Sequence, residues 1–401
     1  MQRYLAGQGS GLALTCASYT PEGYQGFEQG PIRPPSEAQS LLIRVTRNCA
    51  WNRCTFCPVY KAHVFSKRPV EDVKKDIDLV YEYLLEIREA HNAQTATNPR
   101  GVTKLAKSSG PMNPAAFEAA MQWYLNGARS VFLQDADSLV IGAFELTDIV
   151  RHLKSRFPWV ERVTSYARSS TIVRIADDDF KAMRAAGLNR IHVGLESGSD
   201  KVLRMVRKGA SKEMHVKAGL KVKRAGMELS EYVMPGLGGV GLSMEHALET
   251  ADALSQIDPD FIRLRTLAVS QRAPMHDERV SGRFQKCSDV MIVRETRTLI
   301  ENLTGVSSVI KSDHILNLFE DLEGKMPQDR GRMLAILNEF LEMEPEKQDI
   351  YRVGRRVGLF SGLKDMTDSK KLLRVEHVCE ENGITSDNID AVLDELMQNF
   401  I

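Results

Sequence analysis

LLIRVTRNCAWNRCTFC, residues 41–57, is the stretch of this sequence from which the rest of the chain is best understood. Its first six residues form a largely apolar run of the length typical of a short buried strand. Cys49, Cys54 and Cys57 follow within nine residues. Apolar residues then recur at helical spacing from about residue 69 to about residue 90. The order of strand, cysteine loop and helix predicts one βα unit that carries the cysteines on its connecting loop.

Five further strand-like runs follow, and an amphipathic helical segment precedes each of them. Several of these helices end in Gly directly before the strand, as helices commonly do. Such alternation implies parallel strands in a doubly wound sheet or in a barrel, partial or complete. In either arrangement the chemistry lies at the carboxyl ends of the strands, where the cysteine loop is placed. The runs are 130–134, 163–167, 190–195, 229–234 and 261–269.

The segments on either side of this pattern have a different character. Residues 1–40 are rich in Gly, Pro and Ser, which predicts an irregular N-terminal leader. The polar stretch 91–112 is long for a connection in a compact domain and predicts an insertion or lid. Charged amphipathic helical patterns replace the strand patterns in the last part of the chain, and they predict helices at 288–303, 312–325, 329–343 and 386–400. We therefore expect a barrel or sheet domain at 41–280 and a helical C-terminal extension at 281–401.

The composition of the 401-residue chain argues against a nucleic-acid-binding or membrane protein. Its 53 Lys and Arg residues balance 53 Asp and Glu residues, so no net field draws the chain toward nucleic acid or anionic lipid. No stretch approaches the roughly 18 apolar residues of a membrane span, and the first residues lack the pattern of a signal peptide. We therefore predict a cytoplasmic protein with neither a membrane nor a nucleic-acid partner.

The three clustered cysteines predict a metal centre, because thiolates are ligands of both iron and zinc. The other cysteines, Cys16, Cys287 and Cys379, are scattered along the chain. A structural zinc site needs a fourth ligand, whereas three thiolates on a [4Fe-4S] cluster leave one iron open. The cluster is the leading interpretation. A noncatalytic zinc- or iron-sulfur-binding scaffold and an electron-transfer protein are the alternatives.

These residues resemble the radical S-adenosylmethionine (radical SAM) superfamily. The resemblance implies a partial (β/α)6 TIM-like barrel in which Cys49, Cys54 and Cys57 bind a [4Fe-4S] cluster whose open iron chelates S-adenosylmethionine. It also implies reductive cleavage to a 5′-deoxyadenosyl radical that acts on a substrate, here unknown, with an electron donor such as flavodoxin or ferredoxin. Phe56 matches the aromatic residue before the last cysteine. The spacing CxxxxCxxC is one residue longer than the usual CxxxCxxC.

The segment at residues 190–209, RIHVGLESGSDKVLRMVRKG, resembles the fourth-strand segment of that superfamily. The resemblance implies that Glu196 and Ser197 bind the ribose of S-adenosylmethionine. A second interpretation of Glu196 is an N-terminal cap of the next helix, since ESGSD is rich in capping residues.

Other strand ends correspond to superfamily positions, although the second strand ends in QDAD, residues 134–137, where many members carry a GGE-like motif. The resemblance implies that Ser165 and Arg168, after the third strand, approach the methionine carboxylate. At the end of the second strand, Asp135 or Asp137 is expected to bind the amino group, because a carboxylate suits an ammonium. The fifth strand ends in MPGLGG, where Gly236 would let the backbone approach the cofactor closely.

Arg263 and Arg265 alternate along the sixth strand and therefore share one face. They predict a site for a substrate carboxylate or phosphate, or else a salt-bridged pair at the barrel rim. His314, in KSDHILNL, is interpreted as a solvent-facing or core histidine rather than a catalytic one. We also expect the extension to cover the open side of the barrel. The sequence identifies neither the catalytic side chains nor the substrate.

Overall fold

The computed structural model describes residues 23–94 and 113–398. The first 22 residues of the predicted leader, including Cys16, lie outside the described residues, and so does most of the predicted lid, at 95–112.

Ten strands are formed in the described part of the chain. Eight of them make one sheet in the order β1-β4-β5-β6-β7-β8-β9-β10, and β2 and β3 form a separate antiparallel pair. The strands are β1 (Leu41–Arg44), β2 (Thr46–Arg47), β3 (Ser66–Lys67), β4 (Ser130–Gln134), β5 (Arg162–Ala167), β6 (Leu188–Glu196), β7 (Glu228–Val233), β8 (Phe261–Leu264), β9 (Val309–Lys311) and β10 (Gly324–Lys325).

Fourteen α-helices connect and follow these strands in the described residues. They are α1 (Val70–Gln94), α2 (Pro114–Leu125), α3 (Ala143–Arg156), α4 (Ser169–Ile172), α5 (Asp177–Ala186), α6 (Asp200–Met205), α7 (Lys212–Arg224), α8 (Gly239–Ile257), α9 (Met275–Val280), α10 (Asp289–Asn302), α11 (Arg330–Leu341), α12 (Pro345–Arg356), α13 (Ser369–Glu381) and α14 (Ile389–Gln398). Short 3-10 helices lie at Pro35–Glu37, Ser138–Ile141 and Leu363–Thr367.

The predicted alternation of strands and helices is confirmed. The six predicted strands pair in parallel from β1 to β8, with registers such as Leu42 against Phe132 and Tyr232 against Arg263. Among the described strands β1 and β10 are the two ends of the sheet, so the barrel is partial and does not close. Parallel pairing brings the carboxyl ends of these strands to one edge, and that edge positions the site.

Alternation along the strands sends different side chains to the two faces of the sheet. Val131, Leu133 and Ile191 belong to the buried apolar core that the helices cover. The opposite face is aromatic: the ring centroids of Phe132 and Tyr166 lie 5.2 Å apart in an edge-to-face arrangement. The barrel therefore has an aliphatic outer core and an aromatic interior.

Residues 35–40 of the leader lie at the amino-terminal end of the barrel. Glu37 is fully buried, and its carboxylate accepts a hydrogen bond from Ser40 Oγ at 2.5 Å. Arg162 Nη2 contacts the same carboxylate at 3.2 Å, and His192 Nε2 lies 3.3 Å from it. This buried polar cluster fills the end of the barrel opposite the cysteine loop.

The sheet extends beyond the predicted barrel boundary at residue 280. Helix α10 packs against α8, and β9 then pairs in parallel with β8, Ile310 opposite Ile262. The antiparallel β10 completes this edge. The extension is helical from α11 onward, as predicted. The sequence analysis missed its two strands because they are only three and two residues long.

The expectation of a helix over residues 312–325 is wrong. Residues 312–322 form an irregular loop whose carbonyl groups are bound by arginines of α12. Arg355 Nε donates to the carbonyl of Leu318 at 2.9 Å, and Arg356 Nη1 donates to that of Leu316 at 2.7 Å. These carbonyl groups are satisfied by side chains instead of by helical hydrogen bonds.

A membrane-spanning helix is not found in the described part of the chain, where no helix combines the necessary length and apolar character.

Candidate active site

A cavity opens at the carboxyl edge of the sheet, and it contains all three clustered cysteines. It holds about 960 Å³ of space, counted to its open mouth. Its wall is formed by the cysteine loop and by the ends of strands β5 to β8, together with residues that follow those strands. The lining side chains that bear on the chemistry are Cys49, Cys54, Phe56, Cys57, Tyr60, Tyr166, Arg168, Glu196, Lys208, His215, Tyr232, Met234 and Arg265.

The three thiols of Cys49, Cys54 and Cys57 are free and only partly buried. Burial raises the pKa of the Cys54 thiol, while the positive charges of Lys208 and Arg168 lower it. The pKa of Cys54 is raised on balance, and the two cations offset part of the cost of forming the thiolate that metal binding requires. In residues 23–94 and 113–398, no three His, Cys, Asp or Glu side chains converge closely enough to hold a single metal ion.

The interval between Cys49 and Cys54 is one residue longer than in the usual CxxxCxxC motif, and the chain turns at Asn52 within it. This residue has a left-handed conformation, with φ at 44°, which asparagine tolerates better than most residues. Its side-chain amide donates to the carbonyl of Tyr60 at 2.6 Å, and its backbone N–H lies 3.4 Å from Cys49 Sγ. The loop of CxxxxC is therefore ordered by an internal hydrogen-bond network.

Trp51 attaches the cysteine loop to the segment after α6. Its indole N–H donates to the carbonyl of Arg207 at 2.8 Å, and the Arg168 guanidinium lies 4.8 Å from its ring. Gly209, with φ at +69°, lies so close that an added Cβ would be 2.4 Å from the indole. The contact requires glycine. The sequence analysis did not identify this pair, because nothing in the separation of 51 from 209 indicates contact.

One wall of the cavity carries a connected group of charges. Lys208 Nζ pairs with Glu196 Oε1 at 3.0 Å, and Arg168 Nη2 donates to the carbonyl of Lys208 at 2.6 Å. Burial opposes the charge of Lys208, but the adjacent Glu196 carboxylate raises its pKa on balance. Burial lowers the pKa of Arg168. This wall can bind both an anionic group and a hydroxyl-bearing group.

Glu196 does not cap the next helix. The cap of α6 is Ser199, whose side chain accepts from Val202 N–H. Glu196 itself has a left-handed φ of 63°, a conformation uncommon for residues other than glycine and frequent at functional sites. Its carboxylate is directed into the cavity toward Lys208.

The cavity does not include three of the predicted cofactor residues, Ser165, Ser197 and Gly236. The Ser165 hydroxyl bonds to the carbonyl of the next residue at 2.9 Å, and Ser197 Oγ lies 2.8 Å from His246 Nδ1. The N–H of Gly236 donates to Glu295 Oε1 at 2.6 Å. Their polar groups therefore have partners within the protein, at the base of the strand ends.

Asp135 and Asp137 are buried beside the cavity, whose lining between them is Ala136. Asp135 Oδ2 pairs with Arg44 Nη2 at 2.7 Å and accepts from the backbone N–H of Asn48 at 2.9 Å, so it holds the residue next to Cys49. Burial raises the pKa of Asp137 to about 6.

The two arginines of the sixth strand have different environments. Arg263 is 5% exposed and pairs with Asp313 at 2.5 Å. Arg265 is exposed, lines the cavity, and its side chain has no hydrogen-bond or ion-pair partner in the described residues. The salt-bridge interpretation therefore applies to Arg263 alone.

Lys208, His215, Tyr166 and Tyr232 also line the cavity, although the sequence analysis did not identify them. The tyrosines lie at inward positions of β5 and β7, so strand alternation could have indicated them. Lys208 follows a short helix in a polar connection, where no sequence pattern distinguishes it from a surface lysine.

Comparison with known proteins agrees with these observations at the level of the family. Residues 104–253 match the model of the Radical SAM superfamily. This range includes strands β4 to β7 and excludes the cysteine loop. No curated protein matches the chain.

Several solved structures resemble the chain at low identity. Methylornithine synthase has 15% identity and a TM-score of 0.40, over 76% of this chain and 82% of that one. Coproporphyrinogen III oxidase from Escherichia coli, described as a radical SAM enzyme, has 14% identity and a TM-score of 0.42, over 66% and 52%. The Elp3 protein of the archaeon Methanocaldococcus infernus has 13% identity and a TM-score of 0.38, over 46% and 49%. The chain thus spans about half the length of the last two proteins.

Proposed function

We propose that this chain, whose residues 104–253 match the model of the Radical SAM superfamily, is an enzyme whose Cys49, Cys54 and Cys57 bind a [4Fe-4S] cluster that cleaves S-adenosylmethionine. The observation that carries the proposal is the presence of all three thiols in one cavity at the carboxyl edge of a partial barrel. When bound, the reduced cluster supplies the electron that splits the sulfonium into methionine and a 5′-deoxyadenosyl radical, which attacks a substrate not yet identified.

Two cations of the cavity lie near the proposed thiolate ligands. Burial raises the pKa of the Cys54 thiol on balance, and Lys208 and Arg168 offset part of that rise. The hydrogen bond from the Asn48 N–H to the Asp135 carboxylate and the Asn52 network hold the loop before any metal is bound. Such preorganisation reduces the ordering that binding would require.

The charged wall supports a site for S-adenosylmethionine. Arg168 is the proposed partner of the methionine carboxylate, because a guanidinium binds carboxylates in a bidentate manner. Glu196 is the proposed acceptor for the ribose hydroxyls, with Lys208 holding its carboxylate at 3.0 Å. Asp135 or Asp137 is the proposed partner of the amino group. Ser165, Ser197 and Gly236 are proposed to support the strand ends.

Apolar and aromatic side chains around the charged wall exclude water from the reacting centre. Phe56, Tyr166, Tyr232 and Met234 contribute this part of the lining. Exclusion of water strengthens the polar contacts inside and limits side reactions. We propose a one-electron donor such as flavodoxin or ferredoxin as the partner.

The test is anaerobic reconstitution with iron and sulfide, followed by S-adenosylmethionine and a chemical reductant. A bound cluster gives a brown protein with broad absorption at about 400 nm, which d10 zinc cannot give. Mass spectrometry should then detect 5′-deoxyadenosine. A coloured protein that forms none would be an electron-transfer protein, and a colourless zinc-binding protein would be the noncatalytic scaffold.

The ligand set is tested by Cys57→Ala, with Cys379→Ala as the matched control. Cys379 is also a free, partly buried cysteine but lies on α13, outside the cavity. We expect Cys57→Ala to lose most cluster iron and Cys379→Ala to retain it, with unchanged circular dichroism in both. Equal iron content in the two variants would contradict the assignment.

A further inference from the structure

We propose that Arg265 binds an anionic oxygen group of the substrate, a carboxylate or a phosphate. The inference rests on the proposed function, because it assigns the substrate class of the same cavity. It concerns the side of the cavity at the end of β8, away from the charged wall of Glu196 and Lys208.

The backbone of Arg265 is held by the sheet, whereas its side-chain charge has no ion-pair partner in the described residues. It is the first residue after β8, and its backbone N–H donates to the carbonyl of Val233 at 2.9 Å. Its side chain is exposed at the cavity and meets no hydrogen-bond or ion-pair partner in residues 23–94 and 113–398. A guanidinium presents five N–H donors in a planar fork that matches carboxylate and phosphate oxygens. Arg265 thus has the chemistry of an oxyanion ligand.

Arg263, two residues before Arg265, has a structural role, because its side chain is bound within the protein. Its Nη1 pairs with Asp313 at 2.5 Å, and its Nε donates to Ser230 Oγ at 3.1 Å. The Asp313 carboxylate is therefore engaged by Arg263. This ion pair also attaches the loop after β9 to the barrel, and it fixes the residue that follows Asp313.

That residue, His314, is close enough for the charge of Arg265 to act on it. Its Nδ1 accepts from the backbone N–H of Leu316 at 3.2 Å. Burial, and then the charge of Arg265, lower the pKa of His314 to about 4. At neutral pH His314 is therefore uncharged, and Arg265 alone offers the positive charge that suits a single anionic group.

The location separates this site from the one proposed for the cofactor. Arg168 directly follows β5, and Glu196 is the last residue of β6. Strand β8 lies two strands beyond β6 in the sheet. Neighbouring strands are about 4.8 Å apart, so β8 and β6 are separated by about 10 Å. Arg265 also acts electrostatically on Cys57, so a substrate held at Arg265 lies beside the cysteine loop.

Protection from phenylglyoxal, which modifies accessible guanidinium groups, tests the site on the wild-type protein. The cluster-reconstituted protein, saturated with S-adenosylmethionine, is treated with inorganic phosphate, with succinate, or with chloride at equal ionic strength. Peptide mass spectrometry follows Arg265 and, as the control, Arg129, whose side chain is 73% exposed just before β4. We expect phosphate or succinate to slow modification of Arg265 severalfold and to leave Arg129 unchanged. The more protective anion identifies the phosphate or the carboxylate class.

Equilibrium dialysis of the protecting anion against variants gives the second measurement. Arg265→Gln should weaken binding about tenfold or more, as expected for a lost charge-assisted contact, and Arg265→Lys should weaken it less. Arg129→Gln makes the same charge change at the other end of the barrel and should leave binding unchanged.

Two outcomes would overturn the inference: protection by chloride equal to that by the oxyanions, or protection of Arg265 by S-adenosylmethionine alone. 5′-Deoxyadenosine is measured in the same preparation. Its absence counts against the proposed function, whereas its formation without anion protection counts against this inference alone.

Discussion

The barrel and the C-terminal extension both bury apolar side chains, but they satisfy their polar groups in different ways. In the barrel, backbone groups pair along a parallel ladder from β1 to β8. In the extension, arginines of α12 bind the carbonyls of an irregular loop, and Arg352 and Arg356 pair with buried Asp289. Burial opposes ionisation of Asp289, yet these arginines lower its pKa to about 2. The barrel is held together by a regular ladder of backbone hydrogen bonds. The loop of the extension is held by hydrogen bonds from individual arginine side chains.

The two regions meet at the strand ends that border the cavity. Asn317 Oδ1 accepts from the N–H of Thr266 at 2.9 Å, and its amide donates to the carbonyl of Leu264 at 2.8 Å. Gln398, in the last helix, donates to the carbonyl of Val269 at 3.0 Å. These contacts attach the extension to the strand ends of the barrel, and a role for the extension in forming the substrate site stays a prediction.

The strongest test of the comparison removes one buried arginine from the extension. Arg356→Ala leaves the Asp289 carboxylate and the Leu316 carbonyl with fewer partners. We expect the free energy of unfolding to fall by about 3 to 5 kcal/mol, as for other broken buried ion pairs. Arg374→Ala, on an exposed position of α13, should change it by about 0.5 kcal/mol or less. Urea unfolding measures both, and equal effects would refute the difference between the regions.

The polar cluster around Glu37 in the barrel contains a buried histidine, and lowering the pH tests the contribution of that histidine to stability. Burial lowers the pKa of His192 to about 4 from its ordinary 6.5. The unfolded chain therefore binds the proton first, and stability should fall by up to about 1.4 kcal/mol per pH unit as the pH drops from 6.5 to about 4.

His192→Phe should flatten this slope by one proton, because phenylalanine keeps the contacts with Tyr166 and Tyr232. His377→Phe is the control, since that imidazole is 66% exposed. Urea unfolding over this pH range decides, and the same slope in wild type and His192→Phe would show that the buried imidazole contributes nothing.

A third prediction concerns the attachment of the cysteine loop to the barrel. Gly209→Ala and Gly226→Ala both place a side chain at positive φ, at +69° and +71°. Only Gly209→Ala meets a neighbour, the Trp51 indole at 2.4 Å, whereas nothing lies within 4 Å at Gly226. Each should cost about 1 kcal/mol in backbone strain, but Gly209→Ala alone should also lower the iron retained after reconstitution. Iron analysis of both variants tests this, and equal retention would remove the role of the Trp51 contact.

The smallest expected effect concerns an electrostatic interaction between the two regions. Arg265 follows a barrel strand, and its charge helps to lower the pKa of His314 in the extension. Arg265→Gln should therefore raise the His314 pKa by a fraction of a unit, measured by NMR titration, with His377 as the internal reference. An unchanged value would mean that burial alone sets it.

Much of the barrel could be predicted from local sequence. Each of its strands is a short apolar run beside a helix of the correct period, so six strands and their parallel order follow from pattern alone. The cysteine loop was predictable for the same reason, since its ligands are adjacent in sequence. The loop at 312–322 was not, because its apolar spacing resembles a helix and only the arginines of α12 exclude one.

By itself, the sequence determined that a cysteine loop follows the first strand of a parallel α/β array, and that Glu196 and Arg168 lie at strand ends. Only the tertiary structure decided which polar side chains remain unpaired and face the cavity, where they can bind a ligand. Arg263 and Arg265 are equivalent in sequence, yet the first meets Asp313, 50 residues away, and the second faces the cavity. Lys208 and the contact between Trp51 and Gly209 likewise depend on approaches between distant segments. Local spacing specifies secondary structure, whereas the pairing of a charge depends on what the fold brings beside it.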